Sequence, residues 1–445
     1  MKLLMVSLGC DKNLVDSEKM LGSLTSHGYT LTDDEQEAEI AVVNTCCFIE
    51  EAKKESIENI LDVARLKQEG KLKALVVTGC MAQRYREEIL EEFPEVDSIV
   101  GTTGYDQIAE ACDEALKGIR AEFMRDISDD PEETGGRVIT TGGFYSYLKI
   151  AEGCDKNCTY CAIPSIRGHY RSVPMEKLLK EARELAEKGV EELILVAQDT
   201  TLYGQDLYGE KSLHRLLKEL CEIDGFRWIR ILYCYPEEIY PELISTIASE
   251  EKIVHYLDLP IQHASDSVLK RMNRRTNQAD IRRIVETLRG SIPDIVLRTT
   301  LITGFPGETE EDHEILKEFI SDMKFDRLGV FTYSKEEDTP ASRMKPQITK
   351  AVKLRRQKEL MQLQQGISLK ANEDRVGRVY EVMVEGRLPE EGVVLARTYG
   401  DTPQVDGYVF INTDLDLMTG QFVKVLITEA SEYDLIGEIV DESAE

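Results

Sequence analysis

Three cysteines, Cys154, Cys158 and Cys161, stand in a C-x3-C-x2-C spacing within "IAEGCDKNCTYCAIP". Thiolates are the usual ligands of iron–sulfur clusters, and four normally hold a four-iron core. A loop that offers three leaves one iron without a protein ligand, and an open metal position is where a substrate or cofactor binds. A structural zinc closed by His169, or three buried thiols, are the other readings of these residues. Zinc sites usually show paired C-x2-C elements, and core cysteines do not crowd a polar loop, so the spacing favours a cluster. The pentapeptide Gly-Cys-Asp-Lys-Asn that opens this loop at 153–157 also occurs at 9–13, in "VSLGCDKNLVDSEKM". After Cys10 no further cysteine comes until Cys46. Two places thus ask for a cysteine at the end of an apolar run, and they complete their sets differently.

Such sulfurs need rigid elements to aim them. The runs "KLLMVSLG" (2–9), "EIAVVNT" (39–45), "KALVVTG" (73–79) and "VDSIVGT" (96–102) alternate with helical stretches, which implies a parallel sheet with covering helices. Cys10, Cys46 and Cys80 each follow one of the first three runs. In an open parallel sheet the carboxyl ends of the strands lie along one edge, where ligands bind, so the three can converge. Residues 121–143 are acidic and then Gly-rich, and read as a linker. A second alternation places strands near 147–152, 192–197, 228–233, 255–259, 295–302 and 327–333, a full or partial β/α barrel. Cys154, Gln198, Asp199, Gln262, His263 and Gly304 top its strands. A charged helix over 348–377 follows, and its Lys353, Arg355, Arg356 and Lys358 read as a solvated face. The last runs, "VYEVMVEG", "GYVFINTD", "QFVKVLI" and "DLIGEIV", alternate like strands of a small antiparallel barrel. The expected fold is therefore α/β: an open parallel α/β sheet domain over 1–120, a β/α (partial) barrel over 140–372, and a small antiparallel β-barrel over 376–445.

Charge narrows the partners. The 445 residues carry a net charge of −29, which disfavours phosphate backbones and suits a basic partner. From Val379 onward three basic residues (Arg387, Arg397, Lys424) face fifteen acidic ones, so the tail, through acids such as Asp401, Asp406, Asp414 and Asp416, is expected to recruit that partner by charge. No apolar run is long enough to span a bilayer, and the expected location is the cytoplasm, where ten cysteines stay reduced.

The text "CTYCAIPSIRG", with "LGCDKNLVDSE", "VVNTC" and "VVTGC" before it, resembles the methylthiotransferase branch of the radical SAM superfamily over nearly the whole chain. That resemblance implies an S-adenosylmethionine (SAM)-binding [4Fe–4S] cluster on Cys154, Cys158 and Cys161. It implies a second, auxiliary [4Fe–4S] cluster on Cys10, Cys46 and Cys80, and a TRAM barrel as the tail. Gln198, Asp199, Gln262 and Gly304 occupy places that contact SAM in the superfamily, and a purely structural role fits them equally. Cys47 stands where the family usually has Gly, which favours Cys46 as the ligand, while Cys112, Cys221 and Cys234 read as small buried apolar residues.

One group of the branch modifies adenosines of tRNA, the other an aspartate of the twelfth small-subunit ribosomal protein. The segments "LGCDKNLVDSE", "AQDTTLYG" and "RTYGDTPQVDGYVFI" resemble the second group, although Asp11 replaces its common Pro. The implied reaction uses two SAM molecules: one methylates a sulfur at the auxiliary cluster, and the other is cleaved to a 5′-deoxyadenosyl radical. That radical takes hydrogen from the aspartate β-carbon, which then receives the methylthio group. The implied partners are the ribosomal protein or ribosome, and a reductase or flavodoxin-type electron donor; neither membrane nor nucleic acid is implied.

Overall fold

Strands that are apolar at every position bury both faces, and such strands build parallel sheets with helices on each side. The computed structural model, which describes residues 1–132, 136–388 and 392–440, follows that rule. Its first sheet holds β1 (Lys2–Ser7), β2 (Thr30–Thr32), β3 (Ile40–Thr45), β4 (Ala74–Gly79), β5 (Ser98–Val100) and β6 (Ala121–Phe123). The order is β2-β1-β3-β4-β5-β6, with every pair parallel. Every residue of β3 and β4 is buried, each apolar one stabilising the sheet by roughly 1.5–3 kcal/mol. Strands β2 (TLT) and β6 (AEF) escape the sequence pattern because neither lies in an apolar run. β6 also falls inside the expected linker, and Arg137 pins a further part of it: this residue is buried, its Nε donates to Glu18 Oε2 at 2.7 Å and its Nη1 to Tyr147 O at 2.6 Å. Residues 133–135 of that stretch lie outside the described residues.

The central sheet contains β7 (Tyr145–Lys149), β10 (Glu192–Val196), β11 (Trp228–Ile231), β12 (Ile253–Asp258), β13 (Val296–Thr303) and β14 (Arg327–Thr332), side by side in that order. All pairs are parallel, and β7 and β14 do not meet, so the barrel is partial. A small ladder of β8 (Ala151–Glu152) and β9 (Arg171–Ser172) brackets the cysteine loop. The period of two sends Leu193, Leu195, Ile229, Ile231, Leu257 and Leu297 outward against the helices. Tyr147, Ile194, Val196, Tyr256 and Val296 turn inward, where they meet Leu14 and Val15 of the helix Asp11–Ser26.

The tail is a closed barrel of β15 (Val379–Leu388), β16 (Val393–Thr398), β17 (Val409–Asn412), β19 (Leu435–Ile439) and β18 (Phe422–Ala430). Its pairs are antiparallel except β17–β19, which run parallel. Residues 441–445 of the expected tail lie outside the described residues. Among the described residues, no helix is long and apolar enough to cross a membrane.

Two electrostatic expectations change. Asp401 is buried and the side chain of Asp406 is only 4% exposed, so neither is a surface acid. Asp401 Oδ1 lies 2.6 Å from Arg327 Nη2, and Asp406 Oδ2 accepts from the Tyr256 hydroxyl at 2.7 Å. Arg397 likewise pairs with Glu192, which also holds Arg230 at 2.7 Å. The acids "RTYGDTPQVDG" contributes are therefore used to dock the tail on the inner face, largely at the amino ends of the central strands; Asp414 and Asp416 remain exposed. The basic cluster is a solvated face only in part: Arg355 and Lys358 are exposed, but Lys353 and Arg356 are not. Lys353 Nζ donates to Tyr333 O at 2.6 Å, and buried Arg356 lies 3.0 Å from Glu308 Oε1, tying the helix Lys350–Glu373 to the segments after β14 and β13.

Removing Asp401 leaves Arg327 buried without its partner, a defect that costs about 3–5 kcal/mol. Asp401→Ala should lower the urea midpoint accordingly and deprotect the tail in hydrogen exchange. Asp414→Lys should stay within about 0.5 kcal/mol of the parent.

Candidate functional site

The three strands that end in Cys10, Cys46 and Cys80 are β1, β3 and β4, which are direct neighbours in the sheet. Their carboxyl ends bring the cysteines together. The packing is tight enough to need glycine: a Cβ on Gly9 (φ +93°) would lie 2.7 Å from Cys46 Cβ. Cys10 is the N-cap of the helix Asp11–Ser26, so the unpaired first-turn amides adjoin it. In the second pentapeptide Gly153 (φ +78°) leaves no room for a Cβ against His169 O, 2.0 Å away. The two copies then diverge. The first begins a long helix, whereas the second stays in a loop through Cys161, with Asn157 at φ +52°.

Arg167 joins the two sets. It lies on the short helix Ile163–Arg167 that follows the second loop, and it is 2% exposed. Its Nε and Nη2 both donate to Cys80 Sγ at 3.3 Å. Nη1 reaches Asp16 Oδ2 at 2.7 Å and Glu152 Oε2 at 3.1 Å, and Nη2 reaches Asn13 Oδ1 at 3.0 Å. Lys149 supplies a second cation to Asp16 and, at 2.7 Å, to Glu152. Burial opposes the charge on Glu152, yet Lys149 and Arg167 hold its carboxyl well below the usual range. Glu152 Oε1 in turn accepts from Gln198 Nε2 at 2.7 Å. One continuous network thus runs from Cys80 to Gln198.

The donor set suits metal. All ten cysteines are free. Burial pushes the Cys46 and Cys161 thiols up to about 12 and the Cys154 thiol to about 11. Sulfur in such surroundings becomes thiolate when a cation replaces the proton, which is what a bound iron does. Among the described residues no three His, Cys, Asp or Glu side chains converge on a single ion-sized point. A cluster, whose irons sit at separate corners, draws its thiolates from a wider ring. His169 is 84% exposed at its side chain and bonds Asp155 at 2.9 Å, so it does not close a zinc site.

The other expected residues fall into two groups. Gln198 and Asp199 follow β10, and each keeps a buried oxygen (Oε1 and Oδ2) without a hydrogen-bond partner, as residues awaiting a polar ligand would. Burial raises the Asp199 carboxyl to about 6, although Lys156 lies 3.6 Å away. Gln262 and Gly304 both have positive φ; the Gln262 backbone bridges to β13, and the Lys353 stem covers Gly304. Among the described residues, no hydrogen bond runs from either to the loop 154–161. His263 is buried, its Nδ1 accepts from Ser265 N at 2.9 Å, and burial lowers its pKa to about 3. Cys47, Cys112 and Cys234 are buried, and Cys221 is partly so. Arg167, Asp16, Asn13 and Glu152 escaped sequence reasoning; their signal was the i, i+3 placement of Asn13 and Asp16 on one helix face.

Comparison with known proteins agrees with this arrangement. Residues 2–101 match the uncharacterized protein family UPF0004, 148–320 the radical SAM superfamily and 376–440 the TRAM domain. The ribosomal protein uS12 methylthiotransferase RimO of Lachnoclostridium phytofermentans is 63% identical over 437 residues, 98% of this chain and 99% of its own. The chain belongs to the RimO family. The RimO of Acetivibrio thermocellus is 51% identical over 100% of this chain and 99% of its own. Among solved structures, the radical SAM methyltransferase TsrM of Kitasatospora setae, with cobalamin and a [4Fe–4S] cluster bound, has a TM-score of 0.57. At 15% identity, covering 76% of this chain and 73% of that one, it shares the fold. The cysteine sets and the unpartnered Gln198 and Asp199 oxygens fit iron–sulfur and SAM binding in such a fold.

Arg167→Met would leave Asp16 and Glu152 with Lys149 alone, and should destabilise the protein by about 3–5 kcal/mol in chemical denaturation. His263 is neutral when folded, so it contributes stability above pH 6.5 that is lost as pH falls towards 3. Between pH 6 and 4 the parent should lose stability relative to His263→Gln by roughly 1.4 kcal/mol per pH unit.

Proposed function

We propose that this chain is a radical SAM methylthiotransferase that adds a methylthio group to the β-carbon of an aspartate in ribosomal protein uS12. The observation that carries the reading is the Arg167 bridge, which ties one set of three cysteines to the strand-end loop bearing the other. The residues divide as follows. Cys154, Cys158 and Cys161 hold a [4Fe–4S] cluster with an open iron for SAM, and Cys10, Cys46 and Cys80 hold a second. Loaded with both clusters and SAM, the site has the one-electron chemistry needed to break an unactivated C–H bond and a sulfur to place on the carbon. A reductase or flavodoxin-type protein supplies the electron.

The protein's own part is positional. Glu152 orients Gln198, whose other amide atom is left free to bond SAM, and Arg167 fixes the Cys80 sulfur. The inner face is filled by Tyr147, Ile194, Val196 and Tyr256, and Arg397, Asp401 and Asp406 close its other end. That packing helps to keep water from the reacting atoms.

Anaerobic incubation with SAM, a reductant and isolated uS12 should place one methylthio group on that protein and none on tRNA, as read by mass spectrometry. Changing Cys154, Cys158 and Cys161 to Ala should abolish SAM cleavage and spare about half the iron. Changing Cys10, Cys46 and Cys80 should spare SAM cleavage and stop methylthiolation. Full iron in this second variant would sink the assignment of an auxiliary cluster.

A further inference from the structure

The two pentapeptides each bury a lysine, and both lysines lie on tyrosines of the same short segment, 233–236. Lys156, 6% exposed, stands 4.9 Å from the Tyr235 ring centre and pairs with Glu238, with Asp199 3.6 Å away. Lys12, 7% exposed, stands 3.2 Å from the Tyr233 ring centre. Its nearest carboxylate oxygen among the described residues is Asp11 Oδ2 at 4.0 Å, beyond hydrogen-bond reach. An ammonium has three donors, and a ring face satisfies the charge without accepting those protons as an oxygen would. Lys156 is furnished with acceptors; Lys12 is not.

Its place matters. Tyr233, held at φ +58°, follows β11 at the carboxyl end of the central sheet. Burial raises its phenol, and the charges of Asp11 and Cys10 raise it further. Tyr235, two residues on, is raised by burial and then by Cys158, with Cys154 adding to it. Tyr235 thus meets Lys156 of the second pentapeptide, and Tyr233 meets Lys12, which follows Cys10 by two residues. The first-turn amides of its helix, whose N-cap makes no side-chain hydrogen bond, add positive potential there.

We propose that Lys12 receives the side-chain carboxylate of the substrate aspartate, with the helix start beside it, and so distinguishes aspartate from neutral side chains. The inference rests on the uS12 reading above. A carboxylate held at Lys12 fixes the carbon next to it, which is the carbon to be modified. Lys12 is thus a substrate-binding residue, and its partner is a single carboxylate.

The test measures the affinity of reconstituted holoenzyme with SAM for isolated uS12 and for uS12 with the target aspartate replaced by asparagine. The parent should bind the aspartate form roughly 10- to 100-fold more tightly, the range of a charge-assisted hydrogen bond. Lys12→Gln should bring the two affinities together. Lys12→Met, which keeps the apolar stem on the Tyr233 ring, should do the same, and Lys12→Arg should keep the preference. Because each ratio is taken within one protein, general damage to folding cancels from it. A preference that survives both Lys12→Gln and Lys12→Met overturns the assignment of Lys12 and leaves the uS12 reading intact. A parent that binds neither form overturns the uS12 reading and this proposal with it.

Discussion

One buried guanidinium sets the relation between the two halves of the catalytic end. Arg167 comes from the central domain, yet its partners Cys80, Asp16 and Asn13 all come from the first. A cation this deep is tolerated only when its donors are met, and losing a partner leaves a charge that water cannot reach. The bidentate fork also has a fixed plane, so it constrains orientation as well as distance. The carboxyl edge of the first sheet is thereby held against the cysteine loop of the second. Within each half a glycine keeps the cysteine segment close-packed: a side chain at Gly9 would collide with Cys46, and one at Gly153 with His169.

The same economy of charge appears at the other end of the central sheet. Glu192, Arg230 and Arg397 form one buried group, and Arg327 with Asp401 another. Each group joins a central strand to the tail barrel. The inner face is therefore bounded by ion pairs at both ends and filled by aromatic and branched side chains between them. Such an interior has low polarizability, which strengthens every remaining electrostatic interaction, including that of an incompletely bonded ammonium such as Lys12.

Much of this was legible before any coordinates. The six ligand candidates were found because thiol chemistry and spacing are local properties, and because an apolar run followed at once by cysteine marks a strand end. The strands of the two parallel sheets showed for the same reason: burial on both faces makes them apolar throughout. Strands β2 and β6 did not show, since neither lies in an apolar run, and β16 was hidden by running straight into the docking loop. Lys353 and Arg356 were misplaced on a solvated face, since a basic residue on a helix looks alike whether it meets water or Glu308.

Residue type and order were thus enough to mark the candidate ligand cysteines, the strand ends that carry them and the three-part layout, because these depend on neighbours in the chain. The tertiary structure alone decided which charges are buried. Asp401 and Asp406 looked like part of an acidic surface and proved to be the pins of the tail, while Arg167 looked like the end of a motif and proved to be the bridge to Cys80. Whether a charged side chain faces water or an opposite charge depends on chain segments far away in sequence, and burial changes the energetic weight of that choice from a few tenths of a kcal/mol to several, roughly.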